Sequence, residues 1–137
     1  MKKSILITGA TGTVGKEALK QLCENGNYNI SVLCRKSSTN IKVLSPYLKH
    51  IKLISIDLTR EQDFEKLNEK FDVVIHLAAV IPPLADQETE LTHKVNFLGT
   101  KYLLNRLEKN KSKFFFHVQL LNRCIWRSSE YTRHFSD

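Results

Sequence analysis

The 137-residue chain predicts an α/β fold, a doubly wound parallel sheet of about five strands. Three observations carry this. Short apolar runs of strand length alternate with segments of helical period, the order that buries a parallel sheet between two helical layers. The first run, Lys3–Thr8, breaks into a glycine-rich turn and then a helix. The composition, 42% hydrophobic and 26% charged, is that of a globular domain long enough to bury one core.

Each element follows in order. "KSILIT" (Lys3–Thr8) is a short continuous apolar run ending at a glycine turn, as a buried parallel strand requires. From Thr13 to Glu24, Val14, Ala18, Leu19, Leu22 and Cys23 recur at helical spacing, and Gly26 in "ENGN" is placed to cap that helix. "YNISVLC" reads as the second strand. Residues Ile41–His50 are weakly helical and interrupted at Pro46. "IKLISID" is the third strand, Arg60–Lys70 a helix with Phe64 and Leu67 inward, and "FDVVIHLAA" the fourth strand. A long helix is expected from about Gln87 to Lys109, carrying Leu91, Val95, Leu98, Tyr102, Leu103 and Leu107, and "KFFFHV" is the fifth strand. No repeat or low-complexity linker divides the chain.

Charge and cysteine usage narrow the function classes. The net charge is +7, but most lysines are single and interleaved with glutamates, as on solvated helix faces. The one local cluster is Lys101, Arg106, Lys109, Lys111 and Lys113. A nucleic-acid surface there is an alternative reading, and it lacks the interleaved aromatics on which bases stack. Cys23, Cys34 and Cys124 are scattered without a C-x-x-C pair. They point to a reducing compartment rather than to a disulfide framework or a zinc site, and no metal site is expected. The apolar run of "MKKSILITGA" is too short for a signal peptide, and no stretch has the length of a membrane span. A cytoplasmic protein without a membrane partner is the expectation.

The strongest motif is "ITGATGTVG": strand, then Gly9-x-x-Gly12-x-x-Gly15, then helix. Gly9 permits the tight turn off the strand, Gly12 lets a diphosphate approach the backbone, and Gly15 lets the helix pack close to the sheet. The amides near Thr13 and Val14, after Thr11 in the turn, then face the phosphates with the helix dipole behind them. The P-loop pattern does not fit, since Glu17 follows Lys16 where a Ser or Thr belongs. Three further pieces stand in register. Asp57-Leu58 closes the third strand, "HLAAV" (His76–Val80) closes the fourth, and "VNFLGT" (Val95–Thr100) lies on the following helix. Taken singly, Asp57 also suits an ordinary helix cap, His76 a satisfied core histidine and Asn96 a surface polar group.

Together these pieces resemble the extended short-chain dehydrogenase/reductases, the NAD-dependent epimerase/dehydratase group. The similarity covers Lys3 to Val118. The resemblance implies a Rossmann-like fold. It also implies that Gly9, Gly12 and Gly15 bind a cofactor diphosphate, with Thr11, Thr13 and Val14 in the same turn. Asp57 and Leu58 would contact adenine, Ala78, Ala79 and Val80 would line the nicotinamide ribose, and Asn96 would support the site. Where an acid would hold the ribose 2′-hydroxyl of NAD, the second strand instead ends in Arg35-Lys36. A cation there can pair with a 2′-phosphate, so NADP is favoured over NAD.

The resemblance also implies a Tyr with a Lys four residues on, and a Ser or Thr after the fifth strand, to carry and orient the proton at the reacting oxygen. Tyr28, Tyr47, Tyr102 and Tyr131 are followed at that distance by Val32, Ile51, Arg106 and Phe135, and the fifth strand runs into Gln119-Leu120-Leu121. The expected organisation is a dinucleotide-binding domain over 1–118, incomplete relative to the family, and an aberrant, disordered tail over 119–137 with Trp126 exposed. No substrate domain is expected within this chain, so the parent's small-molecule substrate is expected to go unbound. The function expected is the NAD(P)-binding domain of an epimerase/dehydratase-like oxidoreductase, catalytically incompetent as this chain. The alternative of another class is a non-catalytic NADP-binding redox-sensing or regulatory module.

The break after Val118 suggests a truncation or a frameshift. Trp126 has a single codon, and with the first base of the Arg127 codon it must read as glycine one base on. The shifted codon before that glycine is Tyr, Ser or Phe, and the one before it Val or Ala. That is close to the Val-Tyr-Gly of the resembled family. The gene is expected to read on, one base shifted, through a Ser-rich run to a Tyr-x-x-x-Lys. Sequencing it checks this, and an early stop in the shifted frame rejects it.

Overall fold

Six strands build a single sheet. The computed structural model describes residues 1–81, 83–112, 115–120 and 123–128, the last two segments as backbone only. The strands are β1 (Lys3–Thr8), β2 (Tyr28–Cys34), β3 (Ile51–Ser55), β4 (Val73–His76), β5 (Phe115–Leu120) and β6 (Arg123–Ser128), and their order in the sheet is β3-β2-β1-β4-β5-β6. The first five are mutually parallel, and β6 runs antiparallel to β5, from Phe115 opposite Ser128 to Leu120 opposite Arg123.

Strands buried on both faces explain the apolar runs. Along β1, Leu6 points to one side and Ile7 to the other, both fully buried. Leu6 joins Leu33, Ile54, Val74, Phe64, Leu67, Leu103 and Leu107 in one core. Ile7 joins Ile30, Val32, Ala10, Leu19 and Leu44 in the other. The second core lies under α1 (Thr13–Asn25) and α2 (Ser38–Leu44), and the first under α5 (Thr100–Lys109) and the 3-10 segment Glu61–Lys66. α1 ends at Gly26, whose φ of 74° is the left-handed cap expected of it. α2 is held at its start by the Ser37 hydroxyl, which accepts from the Asn40 amide at 3.2 Å, and Pro46 falls in a 3-10 turn, Ser45–Tyr47.

Three segments depart from the sequence expectation. The helix expected over Arg60–Lys70 is 3-10 from Glu61 to Lys66 and irregular beyond. The Asp63 carboxylate accepts from the Asp57 amide at 3.0 Å and draws the segment back onto the end of β3. The Leu67 carbonyl accepts from Arg106 Nε and from Asn110 Nδ2, each at 2.8 Å, so side chains of the facing helix do what the next helical amide would have done. The single helix expected over Gln87–Lys109 is instead α3 (Leu84–Gln87), α4 (Thr89–Thr92), a π-helical turn (His93–Gly99) and α5. Hydroxyls of Thr92 and Thr100 bond the carbonyls four residues back, Glu88 at 2.7 Å and Asn96 at 2.8 Å, a competition known to loosen and bend helices.

The third departure is β6. Disorder was expected over 119–137, yet β5 continues through Leu120 and residues 123–128 pair with it. An edge strand leaves a row of unpaired backbone groups, and a returning strand satisfies them. Residues 121–122 and 129–137 of the expected tail lie outside the described residues, as do the Trp126 side chain and Lys113.

The packing yields a contrast in stability. Leu103 is 0% exposed at the centre of one core, so Leu103→Ala is expected to cost about 2–5 kcal/mol. A Cβ on Gly26 meets nothing within 4 Å, so Gly26→Ala is expected to cost only the backbone strain, about 1 kcal/mol. Urea unfolding midpoints of the two variants check the order and the ratio.

Candidate functional site

The sheet order reverses between β1 and β4. β2 and β3 lie on one side of β1, and the chain then crosses to the other side to lay down β4. The carboxyl ends of β1 and β4 diverge there into connections on opposite faces, which opens a crevice. Thr8 and His76 are paired across this end of the sheet.

The glycine turn sits on that end. Gly9 has φ of 73°, and a Cβ there would stand 2.5 Å from the Ala78 nitrogen and 2.6 Å from the Leu77 carbonyl carbon. The Gly9 carbonyl accepts from the Gly12 amide at 3.1 Å, which closes the turn. A Cβ on Gly15 would lie 1.8 Å from the same Gly9 oxygen, so α1 can start against the turn only with glycine at that place. Gly12 is different. Its φ of −78° and ψ of 174° suit any residue, and its nearest neighbour would be an ordinary 3.4 Å away. Nothing inside the described fold requires a glycine there, and its absent side chain leaves the outer surface of the turn bare. Thr13 and Val14 are exposed beside it and Thr11 half-buried. Among the described residues no side chain caps the first turn of α1, and no acid stands in it. The amides at its positive end therefore remain suited to an anion.

The other expected site residues lie past the carboxyl ends of β2, β3 and β4, with Asn96 on the π-helical turn. Asp57 Oδ1 accepts from the Thr59 amide at 2.9 Å and the Thr59 hydroxyl at 2.7 Å. Burial acts to raise the Asp57 carboxyl. The two Thr59 bonds and the charges of Arg35 and Arg60 act against it, and the carboxyl sits below its ordinary value. Arg35 and Lys36 are exposed past the end of β2. Arg35 thus faces Asp57 electrostatically, and it also draws down the Cys34 thiol, which burial pushes up. Leu58 packs against Gly99, where a Cβ would come within 3.0 Å of the Leu58 Cβ. Sequence reasoning assigned Gly99 no role, although it lies in the quoted "VNFLGT".

Asn96 is no surface group. Its Oδ1 accepts from the Val80 amide at 2.7 Å and its Nδ2 donates to the Val80 carbonyl at 2.8 Å. The π turn aims it, as such turns often do for functional groups. His76 is 2% exposed. Its Nδ1 lies 2.6 Å from Thr8 Oγ1 and its Nε2 lies 2.8 Å from Thr100 Oγ1. It is a satisfied core histidine, and the two threonines that satisfy it went unnoticed in the sequence. Their signal was a hydroxyl at the buried end of an apolar strand and another midway along the helix expected over Gln87–Lys109. A cavity of about 520 Å³ opens at the opposite end of the sheet, beside Lys2, Cys23, Tyr28, Lys49 and His50, and takes no part in this crevice.

The sequence model of the NAD dependent epimerase/dehydratase family matches residues 5–119. The chain belongs to that family. Among relatives, it is 30% identical to protochlorophyllide reductase A of Arabidopsis thaliana over 122 residues, which is 77% of this chain and 30% of the relative. It is 28% identical to D-erythronate dehydrogenase of Haemophilus influenzae over 114 residues, 80% of this chain and 35% of the relative. The UDP-Glc/GlcNAc 4-epimerase structure from Campylobacter jejuni superposes with a TM-score of 0.71 at 26% identity, covering 83% of this chain and 36% of that one. The ADP-L-glycero-D-manno-heptose-6-epimerase of Helicobacter pylori does so with 0.68 at 27%, covering 84% and 38%. The chain thus spans about a third of the length of the curated relatives it matches. The family is an NAD(P)-dependent one, its Rossmann-like sheet is the one described above, and the residues of the turn fit a dinucleotide diphosphate. No helix among the described residues is long and apolar enough to cross a membrane.

Burial lowers the His76 pKa from an ordinary 6.5 to about 4. In the unfolded chain the ring takes up its proton at the ordinary value, so as pH falls the unfolded state is protonated first. The stabilising contribution is complete above pH 6.5 and is lost as pH falls toward 4, by about 3 kcal/mol in all. Urea midpoints measured from about pH 7.5 down to about pH 4.5 should fall steeply for the native chain. They should fall less for His76→Asn, which stays polar but does not titrate.

Proposed function

We propose that this chain binds a dinucleotide across the β1–β4 crevice, NADP(H) in preference to NAD(H), as the cofactor-binding part of an oxidoreductase or epimerase/dehydratase. The observation that carries the reading is the bare Gly12 surface. Gly9 and Gly15 are required by close backbone contacts and Gly12 is not, so what Gly12 leaves room for lies outside the described protein. Gly12, Thr13 and Val14 would hold the diphosphate, Asp57 and Leu58 the adenine, and Ala78–Val80 the nicotinamide ribose. The cofactor, when bound, supplies hydride transfer. This chain's own residues bind and orient it.

The preference for NADP rests on Arg35 and Lys36, exposed past the end of β2 where a carboxylate would hold a 2′-hydroxyl. A charged hydrogen bond to a phosphate contributes on the order of 1.5–3 kcal/mol, and exposure reduces it.

The proposal includes no turnover by the 137-residue chain alone: on this reading it binds the cofactor without reacting it. Tyr102 packs edge-on against Phe64, with ring centroids 6.0 Å apart, and Tyr28 lines the cavity at the far end of the sheet. Tyr47 packs against the core under α1 and α2. None of these three is followed four residues on by lysine. Tyr131 lies outside the described residues.

A non-catalytic NADP-binding redox-sensing or regulatory module would use the same crevice and the same residues. The nucleic-acid alternative draws less support. A nucleic-acid surface over Lys101–Lys113 would use Arg106. Its guanidinium is directed instead onto the Leu67 and Glu65 carbonyls and Asn68 Oδ1, at 2.8, 3.2 and 2.6 Å.

Titration with both dinucleotides tests the reading. NADP⁺ should bind about tenfold tighter than NAD⁺, and Arg35→Gln should remove most of that difference. Equal affinities in the native chain would discard the role of Arg35, and binding of neither would discard the cofactor reading. Substrate-dependent NADPH oxidation by the pure chain would overturn the claim that it does not turn over.

A further inference from the structure

We propose that the Thr8 hydroxyl, the His76 ring and the Thr100 hydroxyl form a one-way chain of hydrogen bonds that positions Ala78–Val80 against the nicotinamide half of a bound dinucleotide. The proposal rests on the cofactor reading above.

The direction of the chain follows from its two ends. The Ala78 amide can only donate, and it lies 3.2 Å from Thr8 Oγ1. That oxygen accepts there and keeps its single hydroxyl proton for its other neighbour, His76 Nδ1, at 2.6 Å. At the far end, the Asn96 carbonyl can only accept, and Thr100 Oγ1 donates to it at 2.8 Å. Thr100 then has no proton for the ring, so His76 Nε2 carries one and donates across 2.8 Å. The ring is neutral, with its proton on Nε2 and its lone pair on Nδ1. An imidazolium would set a second ring proton against that of Thr8.

The chain also closes on itself. It starts at the Ala78 amide and ends at the Asn96 carbonyl, and the Asn96 side chain returns to both polar backbone groups of Val80 at 2.7 and 2.8 Å. Ala79 lies between the two clamped residues. The segment is thereby held before any ligand arrives, which removes an ordering cost from binding. The glycine turn makes its own closure through Gly9 and Gly12, and the Asp57 end is held by Thr59. The chain therefore governs one half of the ligand and leaves the other to separate elements. Thr8, His76 and Thr100 are positioning residues.

The test is calorimetric titration of the full chain with NADP⁺ and with 2′-phospho-ADP, which carries only the adenine half. Thr100→Val removes both the acceptor for His76 and the donor to Asn96. It should weaken NADP⁺ about fivefold to tenfold and leave 2′-phospho-ADP within about twofold, and Thr100→Ser should restore NADP⁺ binding. Equal weakening of both ligands, or native affinity for NADP⁺ in Thr100→Val, overturns the proposal. Binding of neither ligand by the native chain overturns the cofactor reading and the ligand half of this proposal with it. The hydrogen-bond chain is then judged without ligand. Nitrogen-15 shifts of His76 should report the Nε2–H tautomer, and Thr100→Val should quicken amide exchange at Ala78 and Val80. An Nδ1–H tautomer or unchanged exchange sinks it.

Discussion

One close approach governs the rest of this molecule. The backbone of the first turn lies so near the end of β4 that a methyl group on Gly9 would stand 2.5 Å from the Ala78 nitrogen, and one on Gly15 would stand 1.8 Å from the Gly9 oxygen. Real Cβ contacts do not occur at such distances, so the strand, the turn and the start of α1 are compatible only with glycine at both places. This contact brings the positive end of α1 and the Ala78–Val80 segment to the same crevice. It also lets the Leu77 amide reach the Thr8 carbonyl at 3.2 Å, extending the β1–β4 pairing one residue past the sheet.

Around that contact, the site is built from polar side chains that serve the backbone and, in the row Thr8, His76 and Thr100, one another as well. Asn96 stands in for a missing strand partner at Val80. The Asp57 carboxylate turns the chain by accepting from the Thr59 amide. Arg106 and Asn110 take up the Leu67 carbonyl where a helix fails to continue. Buried carbonyls and amides outside regular structure must find partners, and in this fold the segments between elements find them on neighbouring helices. The irregular parts of the crevice are therefore as firmly specified as the strands, at the cost of requiring particular residues.

That division decides what could be read from the sequence. β1 to β4 and α1 were legible because continuous apolar runs and a helical stripe, each closed by glycine or a polar turn, leave few other structures open. The glycine turn was marked by its spacing between strand and helix, whereas Asp57, Leu58, Ala78, Ala79 and Asn96 joined it only through the family resemblance. The π turn was not, because Val95 and Leu98 keep an acceptable helical period while the hydroxyls of Thr92 and Thr100 compete for the carbonyls behind them. Nor was the 3-10 segment, where the deciding bond runs from the Asp57 amide to Asp63. β6 had no period at all to announce it. Its strand state comes from the backbone groups that β5 offers along its edge. Thr8 and Thr100 escaped because a hydroxyl looks incidental until its partner is known.

The β1–β4 pairing has a consequence for how the molecule assembles. β1, α1, β2, α2 and β3 are neighbours in sequence and in space, but β4 must return to β1 across most of the described chain. Its junction is fastened at one end by Ser4 and Asp72, which exchange bonds at 2.8 Å in both directions, and at the other by Thr8 and His76, each pair 68 residues apart. Contacts that far apart in sequence cost more loop-closure entropy than the local ones on either side. The junction is thus a seam between two halves of the chain. The crevice lies along this seam, and its floor crosses from one half to the other. A molecule that spans the crevice rivets the two halves together, so occupancy would suppress the opening motion through which the sheet comes apart.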